Sequence, residues 1–346
     1  MTGLKGSSRA ALRVASATFV VGVTVAIVAL TLAQRGGSLD PWVELSRYLP
    51  YYWLLLPCLA AFAAACWLGR AWTVASLAAP LVLATATMSA QWNLGEAGEQ
   101  RIRLMTYNSK LNRVDDPAVV QAVGREVARH DPDVLVMQDS DGLLVARSAP
   151  PLVARQPLFG LPYVYGVSQY VVASRLPMRG CAPGGIDYGG ESHRYLRCTF
   201  DAHGTELTVV TMHFKSPRMG LLAARREGVD GADEWQSNFA ERLAQSRELA
   251  LQLAPLPRPL VVAGDLNAPE SSPVIRQLLA AGLRDSFSVS GRGYGFSYGQ
   301  SMRAGLSFLR IDHILASPDV GFAASFVGGG RTSDHRPVIA DLLLRR

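Results

Sequence analysis

Hydrophobic and polar positions divide this chain into two regimes. Up to residue 92 the apolar residues gather in three long runs: ALRVASATFVVGVTVAIVALTLA (11–33), LPYYWLLLPCLAAFAAACWL (49–68) and AWTVASLAAPLVLATATMSAQW (71–92). Each has about the 20 residues a helix needs to cross a bilayer. From residue 101 the runs shorten. RIRLMTYN (101–108) alternates as a strand, and PDVLVMQ (132–138) reads as a buried one. Between them, DPAVVQAVGREVARH (116–130) puts Val119, Val120, Val123 and Val127 on one helical face. The strand series continues through QYVVASRLP (169–177), RYLRCTFDAHGTELTVVTMHF (194–214), PLVVAGDLN (259–267), IDHILAS (311–317) and PVIADLLL (337–344). ERLAQSRELALQLA (241–254) and SPVIRQLLAAG (272–282) read as helices, and residues 216–240, rich in Arg and Gly, as a long functional loop. The pattern predicts a membrane anchor over 1–95 and one α/β domain over 101–346, with two packed sheets covered by helices.

The first apolar run alone would also fit a cleaved signal peptide, with Thr31 and Ala33 as a small-residue site. Two further runs favour an uncleaved anchor of three transmembrane helices. Tyr51, Tyr52, Trp53, Trp67, Trp72 and Trp92 cluster near the ends of the runs, as interfacial aromatics do. Lys5, Arg9 and Arg13 precede the first span without an acid, which places the N-terminus in the cytoplasm. Three crossings then put the C-terminal domain outside the cytoplasm, with Arg70 in an inner turn. Cys181 and Cys198 are the two cysteines of that domain. A disulfide between them would suit an oxidising compartment, and two unpaired cysteines would give the same sequence.

Charge adds one restriction. Of the formal net +6, +2 belongs to the first hundred residues, leaving +4 over residues 101–346. That balance suits an anionic substrate and falls short of a nucleic-acid footprint.

Candidate chemistry collects at strand ends. Asn108 and Asp139 finish the first two strands, His213 closes TVVTMH, Asp265 and Asn267 finish LVVAGDLN, Asp312 opens IDHIL, and Asp334 and His335 stand just before the last strand. Asp and Asn at strand ends also occur as plain turn residues. Sheet-end loops are where α/β proteins place their sites, so both readings stay open for each position. His313 follows Asp312 in a strand and is expected on the opposite face as a packed or surface residue. His130, His193 and His203 read as surface residues. Lys215 and Arg218 are placed either to reach an anionic head group or to lie in a solvated loop.

The ordered set LMTYN, DVLVMQD, SRLP, TMH, AGDLNAP, RIDHIL and SDHRPV resembles the endonuclease/exonuclease/phosphatase superfamily, which includes DNase I-like nucleases, inositol-phosphate phosphatases and bacterial sphingomyelinases. The resemblance covers nearly all of 101–346. It implies a four-layered α/β sandwich (DNase I-like), Mg²⁺ or Mn²⁺ as cofactor, and hydrolysis of a phosphoester. Carried onto matching positions, Asn108, Asp139 and Asp334 become the metal region. Asp265 orients or deprotonates water, and Asn267, on the same side of an extended segment, bonds a phosphoryl oxygen. His213 and His335 flank the phosphate, with Asp312 holding His335 charged. Where the family usually has Leu-Gln-Glu, this chain has Met137-Gln138-Asp139, an acid shorter by about 1.5 Å. The anchor plus this domain also resembles bacterial membrane-bound members associated with glycopeptide (teicoplanin) resistance. That resemblance implies a lipid-linked substrate such as undecaprenyl pyrophosphate, with the bilayer as partner and no obligate protein partner. A membrane-tethered phosphodiesterase or nuclease, and an inactive receptor or scaffold, are the competing expectations.

Overall fold

The computed structural model describes residues 2–111, 116–143, 152–153, 157–188, 190–228, 230–301 and 305–344. It separates into two units, Met1–Ala90 and Gln91–Arg346.

The first unit is helical: α1 (Thr2–Arg35), α2 (Pro41–Ser46), a 3₁₀ turn over Tyr51–Leu54 leading into α3 (Leu55–Leu68), α4 (Arg70–Ser76), α5 (Ala78–Val82) and a π turn over Leu83–Thr87. Val20 of α1 packs on Ala61 and Ala65 of α3, where small side chains let the two helices approach. Phe19, Val25, Leu32, Leu59, Trp67, Val74 and Leu81 face outward. Among the described residues, two helical stretches are long and apolar enough to cross a membrane, Ser8–Arg35 and Tyr51–Leu68. The expected third span is not one helix. Pro80 has no N–H to give the Ser76 carbonyl, and the α-helix breaks at Leu77. At the far end of the run, Gln91 and Trp92 form a strand of the second unit. Beside α1 lies a buried polar knot. Arg47 Nη1 donates to Glu44 Oε2 at 2.9 Å and Nη2 to the Gln34 carbonyl at 2.7 Å, while Gln34 Nε2 donates to Ser46 Oγ.

The second unit runs β1 (Gln91–Trp92), β2 (Arg101–Asn108), α6 (Pro117–His130), β3 (Val134–Gln138), β4 (Leu152–Val153), β5 (Tyr163–Val167), β6 (Tyr170–Ser174) and β7 (Met178–Tyr188). It continues through β8 (Glu191–Ala202), β9 (Thr205–His213), α7 (Arg218–Glu227), α8 (Ala232–Leu253), β10 (Leu260–Asp265), α9 (Pro273–Ala280) and β11 (Arg284–Asp285). Last come α10 (Ser286–Ser290), β12 (Arg292–Gly293), β13 (Asp312–Ala316), β14 (Val320–Val327) and β15 (Val338–Leu344). One sheet has the order β14-β15-β2-β3-β6-β5-β4 and the other β11-β13-β10-β9-β8-β7.

Strand alternation builds the layers. Ile102, Leu104, Val134, Val136, Val209, Val261, Ala263, Ile314 and Ala316 join one core. Their neighbours turn the other way: Met105, Leu135 and Met137 pack with α6 residues Val123 and Val127. Val210, Met212, Leu260, Val262 and Leu315 pack with Phe239 and Leu249 of α8 and Ile275 of α9. The result is helix, sheet, sheet, helix, the expected four layers. α6 starts where Asp116 accepts from the Ala118 N–H and Pro117 takes the first turn.

Two predictions need correction. Residues 216–240 are not a loop: α7 and the first turns of α8 occupy them, with Trp235 fully buried. The strand expected over 194–214 is a hairpin of β8 and β9, turning at His203 and Gly204, both with positive φ. Cys181 and Cys198 form a disulfide across the paired strands β7 and β8.

Candidate active site

Continuing the alternation to the strand ends shows why the polar residues meet. Asn108 shares the face of Ile102 and Leu104, His213 that of Val209, Asp265 that of Val261 and Ala263, and Asp312 that of Ile314. All four therefore point into the space between the sheets. Register aligns them: Asp265 lies opposite His213 in parallel β9 and opposite Asp312 in antiparallel β13. Gly264 permits this pairing, since a Cβ there would meet the Met212 carbonyl oxygen at 1.9 Å. In the other sheet Asn108 pairs with Gln138.

Asp139 departs from the alternation. By strand parity it would face the helix layer, like Leu135 and Met137. Its backbone instead turns left-handed (φ 50°), and Asp139 Oδ1 comes within 3.5 Å of His213 Nδ1.

Asp265 is the centre of the cleft. Its Oδ2 accepts from Asn108 Nδ2 at 2.9 Å and lies 3.4 Å from His213 Nε2 and 3.6 Å from His335 Nε2. Its Oδ1 accepts from the Asn267 N–H at 3.0 Å. His335 Nδ1 donates to Asp312 Oδ2 at 2.9 Å, the pairing expected from sequence. Burial works against the charged imidazole, but the carboxylates of Asp312 and Asp265 outweigh it and lift the His335 pKa to about 9. His335 is thus an imidazolium at neutral pH, with Tyr298 packed on its ring at 4.9 Å. His213 Nδ1 donates to Gln169 Oε1 at 2.6 Å, which turns Nε2 toward Asp265. Burial pushes the Asp139 carboxyl up, yet the hydrogen bond and charge of His213 and the Lys110 ammonium hold it well below the usual carboxylate range.

Asn267 differs from its expectation. It does not sit on an extended segment: its backbone is left-handed (φ 48°) and its Nδ2 donates to the Phe214 carbonyl at 2.9 Å. Asp334 is exposed, one residue before the buried His335. His313 faces away from Asp312, as expected, and is buried, with Nε2 2.9 Å from the Ala268 carbonyl oxygen. Of the three histidines expected at the surface, His203 is exposed. His130 is instead half-buried against Glu126 at 2.9 Å, and His193 half-buried against the Tyr188 hydroxyl at 2.7 Å. Lys215 is held between Glu191 and Glu241.

Several residues of the site carry little or no sequence signal. Ser333 Oγ donates to the Asn108 carbonyl at 2.7 Å and accepts from the His335 N–H. Gln138 Nε2 bridges the sheets to Thr106 Oγ1 and Thr211 Oγ1. Lys110 Nζ lies 2.5 Å from Asp139 Oδ2. Its place two residues beyond Asn108 in TYNSK was the one available hint.

The side-chain oxygens of Asn108 and Asp139 are of the kind a hard cation takes. Asn108 Oδ1 is buried and accepts no hydrogen bond, a costly state unless something positive completes it. Hard oxygen donors suit Mg²⁺. Asp265, Asp312 and His335 also lie close enough together to hold an ion. Nδ1 of that imidazole is already bonded to Asp312 Oδ2.

The sequence profile of the endonuclease/exonuclease/phosphatase family matches residues 90–335. The chain belongs to this family. Members of the endonuclease/exonuclease/phosphatase family are hydrolytic phosphoesterases and generally use divalent metals. A functionally unknown conserved protein from Enterococcus faecalis V583 is 16% identical, with 70% of this chain and 100% of that one covered and a TM-score of 0.50. The endonuclease/exonuclease/phosphatase from Bacteroides vulgatus is 18% identical over 71% and 100% of the two chains, also at 0.50. That from Beutenbergia cavernae DSM 12333 is 20% identical over 71% and 72%, at 0.47. At these identities the likeness is one of fold. No curated protein matches the chain.

Proposed function

We propose that this protein is a membrane-anchored, metal-dependent phosphoesterase that acts outside the cytoplasm on a lipid-linked phosphate or pyrophosphate of the undecaprenyl pyrophosphate kind. The observation that carries the hydrolytic part is Asp265, a buried carboxylate with an amide and two imidazoles aimed at one oxygen. A phosphoryl group entering the cleft would take over those donors as its own charge develops. Asp265, released from them, orients and deprotonates the attacking water. His335, charged and fixed by Asp312, gives a proton or hydrogen bond to a phosphoryl or leaving oxygen, and His213, fixed by Gln169, does so from the other side. Asn108 and Asp139 would hold the divalent cation, with Asp334 as a further contributor. When bound, the cation neutralises phosphoryl charge. The lipid part of the reading rests on the two long apolar helices and the broken third run that precede the domain.

The test is full-length protein in detergent, offered undecaprenyl pyrophosphate, sphingomyelin, a phosphoinositide and single- and double-stranded DNA, with Mg²⁺ and then with chelator. The expected result is chelator-sensitive phosphate release from the polyprenyl substrate, lowered about 10²–10⁴-fold in Asp265→Ala. Preferential cleavage of DNA or of a phospholipid head group would replace the substrate assignment. Activity in Asp265→Ala equal to wild type would remove the hydrolytic one.

A further inference from the structure

Lys110 belongs to the cleft but to none of the strand-end positions. It follows Asn108 by two residues and stands in a left-handed turn (φ 56°) that sends its side chain back over the strand ends. Its ammonium meets Asp139 Oδ2 at 2.5 Å, while the second Asp139 oxygen faces His213 Nδ1 at 3.5 Å. One oxygen of the carboxylate assigned to the metal is thus taken by the ammonium, and the other lies near an imidazole nitrogen. The contact is partly buried: the Asp139 side chain is 14% exposed and that of Lys110 39%. The charges of Asp265 and Asp334 also favour this ammonium. Two residues earlier in the chain, Asn108 Oδ1 is buried and accepts nothing.

A divalent cation shared by Asn108 and Asp139 would have to displace the ammonium or lie beside it. Two cations a few Å apart in a partly buried site repel. The shorter acid sharpens the conflict, because Asp139 has less reach than a glutamate with which to serve both partners. We propose that Lys110 is a built-in competitor of the divalent cation for Asp139, so that the site loads metal weakly and in response to its free concentration. This rests on the metal-dependent reading above.

The test measures binding and not turnover. Full-length protein in detergent micelles is titrated with Mn²⁺, and free Mn²⁺ is followed by electron paramagnetic resonance. Lys110→Met and Lys110→Gln should bind Mn²⁺ at least about tenfold more tightly than wild type, while Lys110→Arg, which keeps the charge, should stay close to wild type. Equal or weaker binding in both neutral variants, alongside measurable wild-type binding, overturns the competition and leaves the metal-dependent reading standing. Absence of Mn²⁺ binding in all four proteins overturns both.

Discussion

Asp139 shows how much one residue carries in this cleft. Its type and its place at a strand end were legible from sequence, because an acid directly after an apolar run is conspicuous. Its direction was not, since it depends on one left-handed backbone angle. For Asn108, His213, Asp265 and Asp312, by contrast, strand parity sets the direction as well. Lys110, Gln169 and Ser333 act from loops, where spacing says nothing about direction. Asn267 was placed on the right segment with the wrong backbone. The substitution Asp139→Glu is expected to retain activity and to hold metal at least as tightly as wild type, because the longer acid restores reach. Asp139→Ala should lower metal affinity about 10–100-fold or more. Titration of each variant with Mn²⁺ decides it, and wild-type affinity in Asp139→Ala would show that Asp139 only ends a strand.

Whole elements were legible where burial imposes a period. β2, α6, β3, β10, β13 and β15 alternate or repeat cleanly and fall within a few residues of their predicted bounds. β7 was missed because MRGCAPGGIDY carries glycines and a proline, which a strand at the sheet edge tolerates. Gly184 there makes room for the Tyr195 ring, since a Cβ would meet it at 2.0 Å. α7 was missed because its Arg-rich sequence hides the spacing of its buried residues, Gly220 and Ala223. Beneath the catalytic strand β13, Arg310 Nη1 donates to both Asp285 oxygens at 2.9 Å, and His313 Nδ1 lies 3.1 Å from Asp285 Oδ2. Burial raises the Asp285 carboxyl, but Arg310 and His313 overcome it and hold its pKa well below the ordinary range. A depressed carboxylate stabilises the fold fully above its unfolded pKa of about 3.9, and that contribution is lost as pH falls toward the folded value. The melting temperature of the wild type should therefore drop more steeply between about pH 4 and pH 2 than that of Asp285→Asn. At neutral pH the variant should be less stable by about 3–5 kcal/mol. Parallel acid limbs would mean that Asp285 titrates alike in both states.

At the scale of the molecule, the ordered motifs and the apolar N-terminal third were both apparent in the sequence. Motif order survives because each motif is tied to its own strand end, whereas helix continuity depends on single residues within a run. Compartment has a direct reporter in the Cys181–Cys198 bridge. Alkylation of the denatured, unreduced protein taken from its native cells is expected to label two cysteines, Cys58 and Cys66, and four after reduction. Four labels without reduction would place the domain in a reducing compartment. The break at Pro80 gives that measurement its wider meaning. Crossings count by parity: an odd number carries the enzyme to the side opposite the N-terminus, and an even number brings it back. Under the proposed membrane anchoring, two runs form unbroken helices and the third is interrupted where Pro80 lacks an N–H, so the side on which the domain would lie follows from whether that imperfect helix counts as a crossing.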